Sequence, residues 1–212
     1  MLGCMQKQHI ITISGKPGSG KSSTADMVAE LLGYTRHSSG DLVRSILKEK
    51  KMTLEAYNAE AADDHDLDTL VDARLRALRD QSDIVIDSRL GFYWLPESFK
   101  VYLDLDLSVA TARIFKDTVS NSRRSGEDAT SLDEVARMVE RRVRDERSRF
   151  KAMYNVDPYN PSHFDLIIDT SNHSPQTVAL TVFDTYKQWL ETATWKQVHS
   201  SVPLGYSFKN QY

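Results

Sequence analysis

Short apolar runs rich in β-branched residues recur along the chain at 10–13, 84–86, 101–105 and 166–168, each too short for a helix and suited to buried strands. Between them apolar residues return at three- and four-residue intervals, which predicts helices over 23–32, 42–50, 67–79, 109–116, 132–151 and 177–195. A further short strand is expected at 34–37. Buried strands alternating with helices predict an α/β fold: a parallel five-stranded sheet between two helical layers. No internal repeat interrupts this order, so 1–195 reads as one domain. The stretch 196–212 lacks periodicity and reads as a tail, either packed or frayed.

In an open parallel sheet, ligands gather beyond the carboxyl ends of the strands. The polar segments there are 15–22, 38–41, 87–89 and 169–171, and all four are expected to converge on one cleft. The first reads Gly15-Lys16-Pro17-Gly18-Ser19-Gly20-Lys21-Ser22, the pattern G-x-x-x-x-G-K-[ST] between a strand and a helix. Glycines let backbone N–H groups close around an anion, and a helix beginning there adds unpaired donors and a positive dipole end. Lys21 brings a mobile charge for the β- and γ-phosphates, and the Ser22 hydroxyl is placed for Mg²⁺. The chain is expected to bind a nucleoside triphosphate, with Ser23 opening the helix beneath it.

Composition narrows the class. With 212 residues, net charge −3, 40% hydrophobic residues and one cysteine, the chain fits a protein of a reducing, cytoplasmic compartment. A mildly acidic whole argues against a nucleic-acid partner. No run approaches the roughly 18 apolar residues of a membrane span. The six histidines show no metal-ligand spacing.

A phosphate loop alone does not separate motors, switches and kinases; the second substrate site does. Transfer between two anions needs cations on the acceptor, and arginine suits this because its planar fork grips phosphate oxygens and stays charged. Arg44 follows the turn Ser39-Gly40-Asp41, and Arg89 directly follows the third strand, 84–86. Eight of the 15 arginines lie between 123 and 149. Arg137 and Arg141 read as a solvated helix face, whereas the density around Arg142, Arg144, Arg147 and Arg149 favours an anion cleft. Asp87 closes an apolar strand at this cleft and is expected either to orient Mg²⁺ through water or to accept from the acceptor sugar. The aromatic stretch 91–96 suits an acceptor base or a core plug equally.

Taken together these segments resemble the nucleoside monophosphate kinases, and most closely the short archaeal-type cytidylate kinases. The resemblance is carried by 11–22, by Leu32-Gly33-Tyr34 with His37-Ser38-Ser39-Gly40-Asp41 and Arg44, by Asp87-Ser88-Arg89, by the run 142–150 leading into Tyr154-Asn155-Val156-Asp157, and by 164–171; it spans about residues 9 to 192. It implies a P-loop three-layer αβα fold with a nucleotide-acceptor segment near 37–80 and a lid near 117–131. It further implies ATP as donor and CMP or dCMP as acceptor. Lys21 and the loop hold the donor phosphates, with Mg²⁺ on Ser22 and Asp87. Arg44 and Arg89 clamp the acceptor phosphate, and Arg123 or Arg124 comes from the lid. Arg142, Arg144 or Arg147 completes the charge cage, and Thr170 and Ser171 lie near the donor base. Asp68 is the acidic residue best placed to read the exocyclic amine of cytosine. Ser88 stands where the family commonly has glycine. Small nucleotides are the implied partners, and a monomer the implied state. Kinases of the same fold acting on AMP, UMP or dephospho-coenzyme A, and a non-catalytic nucleotide sensor, are the competing readings.

Overall fold

The structure, a computed structural model, describes residues 7–52, 66–120 and 131–200. Its strands are β1 Ile10–Gly15, β2 Thr35–Ser38, β3 Ile84–Asp87, β4 Phe99–Asp104, β5 Leu166–Asp169 and β6 Val198–Ser200. The helices are α1 Lys21–Leu32, α2 Ser39–Glu49, α3 Asp66–Arg76, α4 Gly91–Trp94, α5 Leu107–Ser120, α6 Leu132–Tyr154 and α7 Pro175–Glu191, with 3₁₀ turns at Ala77–Asp80 and Pro161–His163.

All the strands pair in parallel, in the order β2-β3-β1-β4-β5-β6. Among the described residues the sheet therefore has six strands rather than the expected five. The sixth lies past residue 195, in the segment without periodicity. Its three residues are only partly buried or exposed, so they carry no alternation to read. Long side chains hold it instead: Trp195 Nε1 donates to the Asp165 carbonyl at 3.1 Å, and Gln197 Nε2 donates to those of Pro161 and Phe164 at 2.7 Å.

Both faces of the sheet are covered, which is why its strands read as continuous apolar runs. Ile11, Ile13, Val101, Leu103, Leu166 and Ile168 pack against α1 and α7 through Ala25, Val28, Val178 and Val182. On the other face Ile10, Ile84 and Ile86 meet α2 and α3, while Tyr102 and Ile167 meet Phe150 of α6. Each fully buried aliphatic side chain contributes about 1.5–3 kcal/mol. These layers leave the strand ends of β1, β3, β4 and β5 open at one edge, where the polar segments emerge.

Two glycines shape the turn out of β1. Gly15 has φ 148°, and a Cβ there would lie 2.2 Å from the Leu103 carbonyl oxygen, so the backbone itself is packed against β4. Gly20, at φ 82°, caps α1 with no side-chain hydrogen bond. That leaves the first turn of α1 without the capping side chain that other helices here receive, such as Ser131 with Glu134 on α6.

Candidate active site

The loop between β1 and α1 has the shape its glycines predict, and its cations are held in place. Lys21 Nζ donates to the Lys16 carbonyl at 2.9 Å. Burial lowers the Lys21 pKa well below its ordinary value, and the neighbouring Arg89 charge lowers it further. Lys16 turns the other way, pairing with Asp104 at 2.6 Å and donating to the Leu105 carbonyl.

At the end of β3, the buried Asp87 accepts a 2.6 Å hydrogen bond from the Ser22 hydroxyl. Ser39 Oγ approaches the Asp87 carbonyl at 3.4 Å, and Ser38 accepts from the Asp41 N–H to cap α2. Arg36 on β2 also reaches this centre, facing Asp26, Asp41 and Asp87 within 3.0 to 3.4 Å. Arg44 is mostly exposed and pairs with Asp41 from the other side. Gly40 lets this turn close under Arg44, whose Nη1 would be 3.5 Å from an added Cβ.

Two residues after Asp87, Arg89 shares one carboxylate with Arg142 of α6. Arg89 Nε bonds Glu146 Oε2 at 2.7 Å, Arg142 Nε bonds Oε1 at 3.0 Å, and the Tyr159 hydroxyl also donates to Oε2. Burial alone would raise the Glu146 pKa. The Arg89 charge, the Tyr159 hydrogen bond and Arg142 outweigh it and bring it down to about 2. Burial works against the Arg89 cation too, but Glu146 overcomes it and holds Arg89 firmly protonated.

A phosphate loop, a Ser–Asp pair and two arginines facing the loop lysine are the layout of a phosphotransferase, and comparison with known proteins specifies which. The model of the cytidylate kinase-like family matches residues 10–172. This chain belongs to that family. A cytidylate kinase of Halobacterium salinarum is 34% identical over 178 residues, covering 82% of this chain and 88% of the relative. One from Methanothrix thermoacetophila is 35% identical over 161 residues, covering 76% and 88%. Among solved structures, shikimate kinase from Bacteroides thetaiotaomicron matches with TM-score 0.57 at 14% identity, over 86% of this chain and 98% of that one. A protein of Eubacterium ventriosum matches with TM-score 0.61 at 16% identity, over 87% and 99%. These two show the fold. The family and its relatives make the chain a nucleoside monophosphate kinase.

Within this kinase, the arginines of α6 divide between two faces. Residues 142, 146 and 149 point toward Arg89 and α3, where Arg149 Nε lies 3.6 Å from Asp68. Arg144 and Arg147 turn instead to a cavity of about 580 Å³ that Lys16, Pro17, Leu107 and Lys151 also line. Arg147 also pairs with Asp157 at 3.1 Å. Of the three arginines from which one was expected to complete the cage, Arg142 is the one that shares Glu146 with Arg89.

Thr170 is buried, its hydroxyl between the carbonyls of Asp104 at 3.0 Å and Ser19 at 3.3 Å, and Ser171 Oγ accepts from the Asp106 N–H. The residue that organises this side is Arg113 of α5. Its guanidinium donates to the carbonyls of Gly18, Thr170, Ser171 and His173 at 2.7 to 3.4 Å. A lone arginine in an amphipathic helix carries no sequence signal for this. Glu146 and Arg36 were equally hidden, the first inside a run of alternating charges and the second in a four-residue strand.

In the aromatic stretch, Phe92 is a core residue that stacks on His163 and meets Phe164 edge-on. Trp94 donates its indole N–H to Asp72 at 2.8 Å and lies under the Arg76 guanidinium. Arg123, Arg124 and most of the expected lid lie outside the described residues. Among the described residues no helix is long and apolar enough to cross a membrane.

Proposed function

We propose that this kinase transfers the terminal phosphoryl group of ATP to CMP or dCMP, forming the diphosphate. The observation that carries the reading is the Arg89–Arg142 pair: two cations from different elements, both electrostatically coupled to Lys21, at the position an acceptor phosphate would take beside the donor. A nucleotide switch has no use for such a second cage.

The acceptor phosphate oxygen is already anionic at neutral pH, so no base needs to activate it. What the residues do is align and neutralise. Amides of 15–22 and the N-terminus of α1 take the donor's β-phosphate, and Lys21 swings from the Lys16 carbonyl to the β- and γ-oxygens. Arg89 and Arg142 hold the acceptor phosphate in line, with Arg44 reaching it from α2 once Asp41 releases it. Thr170 and Ser171 border the donor base, and Arg123 belongs to the lid that excludes water. Ser22 and Asp87 are both hard oxygen donors 2.6 Å apart and fit Mg²⁺, which needs few protein ligands when phosphates and water supply the rest. When bound, that ion neutralises the β- and γ-oxygens. The Asp68–Arg149 pair offers an acceptor next to a donor, complementary to the amine and ring nitrogen of cytosine.

The test is turnover with Mg-ATP against CMP, dCMP, UMP, AMP, GMP and dephospho-coenzyme A. We expect CMP or dCMP to lead by about tenfold or more in kcat/KM. Preference for another acceptor would keep the transfer and discard the base assignment. Tight ATP binding without turnover would make the protein a sensor.

A further inference from the structure

We propose that Glu146 is the positioning residue of the acceptor-phosphate clamp: it sets Arg89 and Arg142 side by side through their Nε atoms, so that this carboxylate does not take their Nη edges. The inference rests on the phosphoryl-transfer reading above and deepens it.

The two arginines come from unrelated places. Arg89 follows β3, whereas Arg142 sits one turn before Glu146 on α6. Among the described residues, the Glu146 carboxylate is the group that joins them, one oxygen to each. Both bonds use Nε. A guanidinium held by Nε keeps its Nη1–Nη2 edge, with two parallel N–H groups, for a bidentate grip on phosphate. Had the carboxylate bound that edge instead, it would compete with the substrate for the same donors.

Glu146 is itself fixed. The Tyr159 hydroxyl donates to Oε2, and the Tyr159 N–H donates to Asp157 at 2.9 Å. The Glu146 and Arg89 side chains are 12% and 15% exposed, so neither can drift with solvent. The electrostatics give the carboxylate a second reason to be there. Lys21, Arg89 and Arg142 repel one another, and the Arg89 charge already weighs on Lys21. A buried anion between the arginines lets the cage exist before phosphate arrives. A buried ion pair is poor at stabilising a fold compared with apolar packing. A clamp that must be formed in advance is where its cost has a return in rate.

The experiment compares E146Q, E146D and Y159F with wild type by steady-state kinetics for each substrate, and repeats E146Q in an R142A background. Glutamine keeps the size but loses the charge and one acceptor oxygen. We expect E146Q to lower kcat by about 10- to 100-fold with the ATP KM within about twofold of wild type. E146D and Y159F should fall between. In the R142A background E146Q should cost less than about threefold more, because residues acting as a unit are not additive. NMR of the arginine side chains gives a readout independent of turnover: the Nε–H protons of Arg89 and Arg142 exchange slowly in wild type and rapidly in E146Q. An E146Q enzyme with wild-type kcat, a full multiplicative loss on R142A, or unchanged Nε–H exchange would each overturn the proposal. So would parallel loss of donor and acceptor parameters with a lowered melting temperature, which marks a structural role. A wild type without turnover overturns the kinase reading, while the Nε–H signals still decide whether Glu146 holds the two arginines.

Discussion

Ser22 at the start of α1 gives its hydroxyl hydrogen to the Asp87 carboxylate at the end of β3, 65 residues away, across 2.6 Å. The bond closes the gap between the phosphate loop and the neighbouring strand and brings together two oxygens of the kind Mg²⁺ takes. Asp87→Asn keeps an oxygen that can accept from Ser22 but removes the charge. We expect kcat to drop about 10- to 100-fold and the Mg²⁺ concentration for half-maximal rate to rise, with the melting temperature little changed. Mg²⁺ titration of the rate checks this. An unaltered Mg²⁺ requirement would assign Asp87 to the acceptor sugar.

Arg113 joins the phosphate loop to the segment after β5 by donating to four backbone carbonyls. Arg113→Ala leaves these acceptors without their cation and lets the two loops separate. The expected loss is about 1–3 kcal/mol in stability. Donor affinity should weaken while the CMP KM stays near wild type, because Arg113 holds the Gly18 carbonyl of the phosphate loop. Calorimetric ATP binding together with urea unfolding distinguishes the two effects.

Gly15 and Gly20 are both glycines with positive φ, and they should respond differently to alanine. At Gly15 the new methyl would meet the Leu103 carbonyl oxygen at 2.2 Å, a backbone atom that cannot turn aside as a side chain can. We expect Gly15→Ala to cost about 3 kcal/mol or more, because β1 and β4 would have to part. Gly20 has nothing within 4 Å of an added Cβ, so Gly20→Ala should cost only the left-handed backbone, about 1–2 kcal/mol. Urea unfolding of both variants tests the order.

The parts legible in the sequence are those where one local pattern dictates one structure. Runs of Ile and Val could only be strands covered on both faces, and the glycine loop could only turn where it does. Strand β6 was not legible because Trp195 and Gln197 hold it from outside, and no alternation within three residues reveals that. The arginines show the same divide. Helical spacing separates 142, 146 and 149 from 144 and 147, but which face meets Arg89 and which meets the loop cavity depends on how α6 packs, which only the fold supplies. Arg113 and Glu146 escaped notice because their partners, backbone carbonyls and distant arginines, leave no mark near them in the chain.

Asp72 is buried on α3 and accepts from Trp94 Nε1 and from the Tyr154 hydroxyl. Burial raises its pKa above the ordinary 3.8, and these hydrogen bonds do not cancel the rise. The folded protein thus holds this proton more tightly than the unfolded chain. Its contribution to stability is full below about pH 4 and declines as pH rises through the folded value. Asp72→Asn removes that decline. Compared with wild type, the variant should gain stability as pH rises from about 4 to 7, read from urea unfolding at both ends. A difference that stays constant with pH would mean Asp72 titrates alike in both states.

Asp68 faces Arg149 at 3.6 Å, with both side chains partly open to the space between α3 and α6. Cytosine presents an amine donor beside the N3 acceptor, whereas uracil presents an oxygen acceptor beside an N3–H donor. A carboxylate next to a guanidinium matches the first edge and opposes the second, leaving unpaired groups and like polarity against uracil. An amide at position 68 can turn either its oxygen or its nitrogen to the base and so accepts both. Asp68→Asn is therefore expected to reduce the CMP-over-UMP ratio of kcat/KM by about 10- to 100-fold, chiefly through the CMP KM, with ATP parameters unchanged. Measuring kcat/KM for both nucleotides in wild type and variant decides the point. An unchanged ratio would reduce the Asp68–Arg149 pair to a tie between two helices and move base recognition elsewhere in the acceptor cleft.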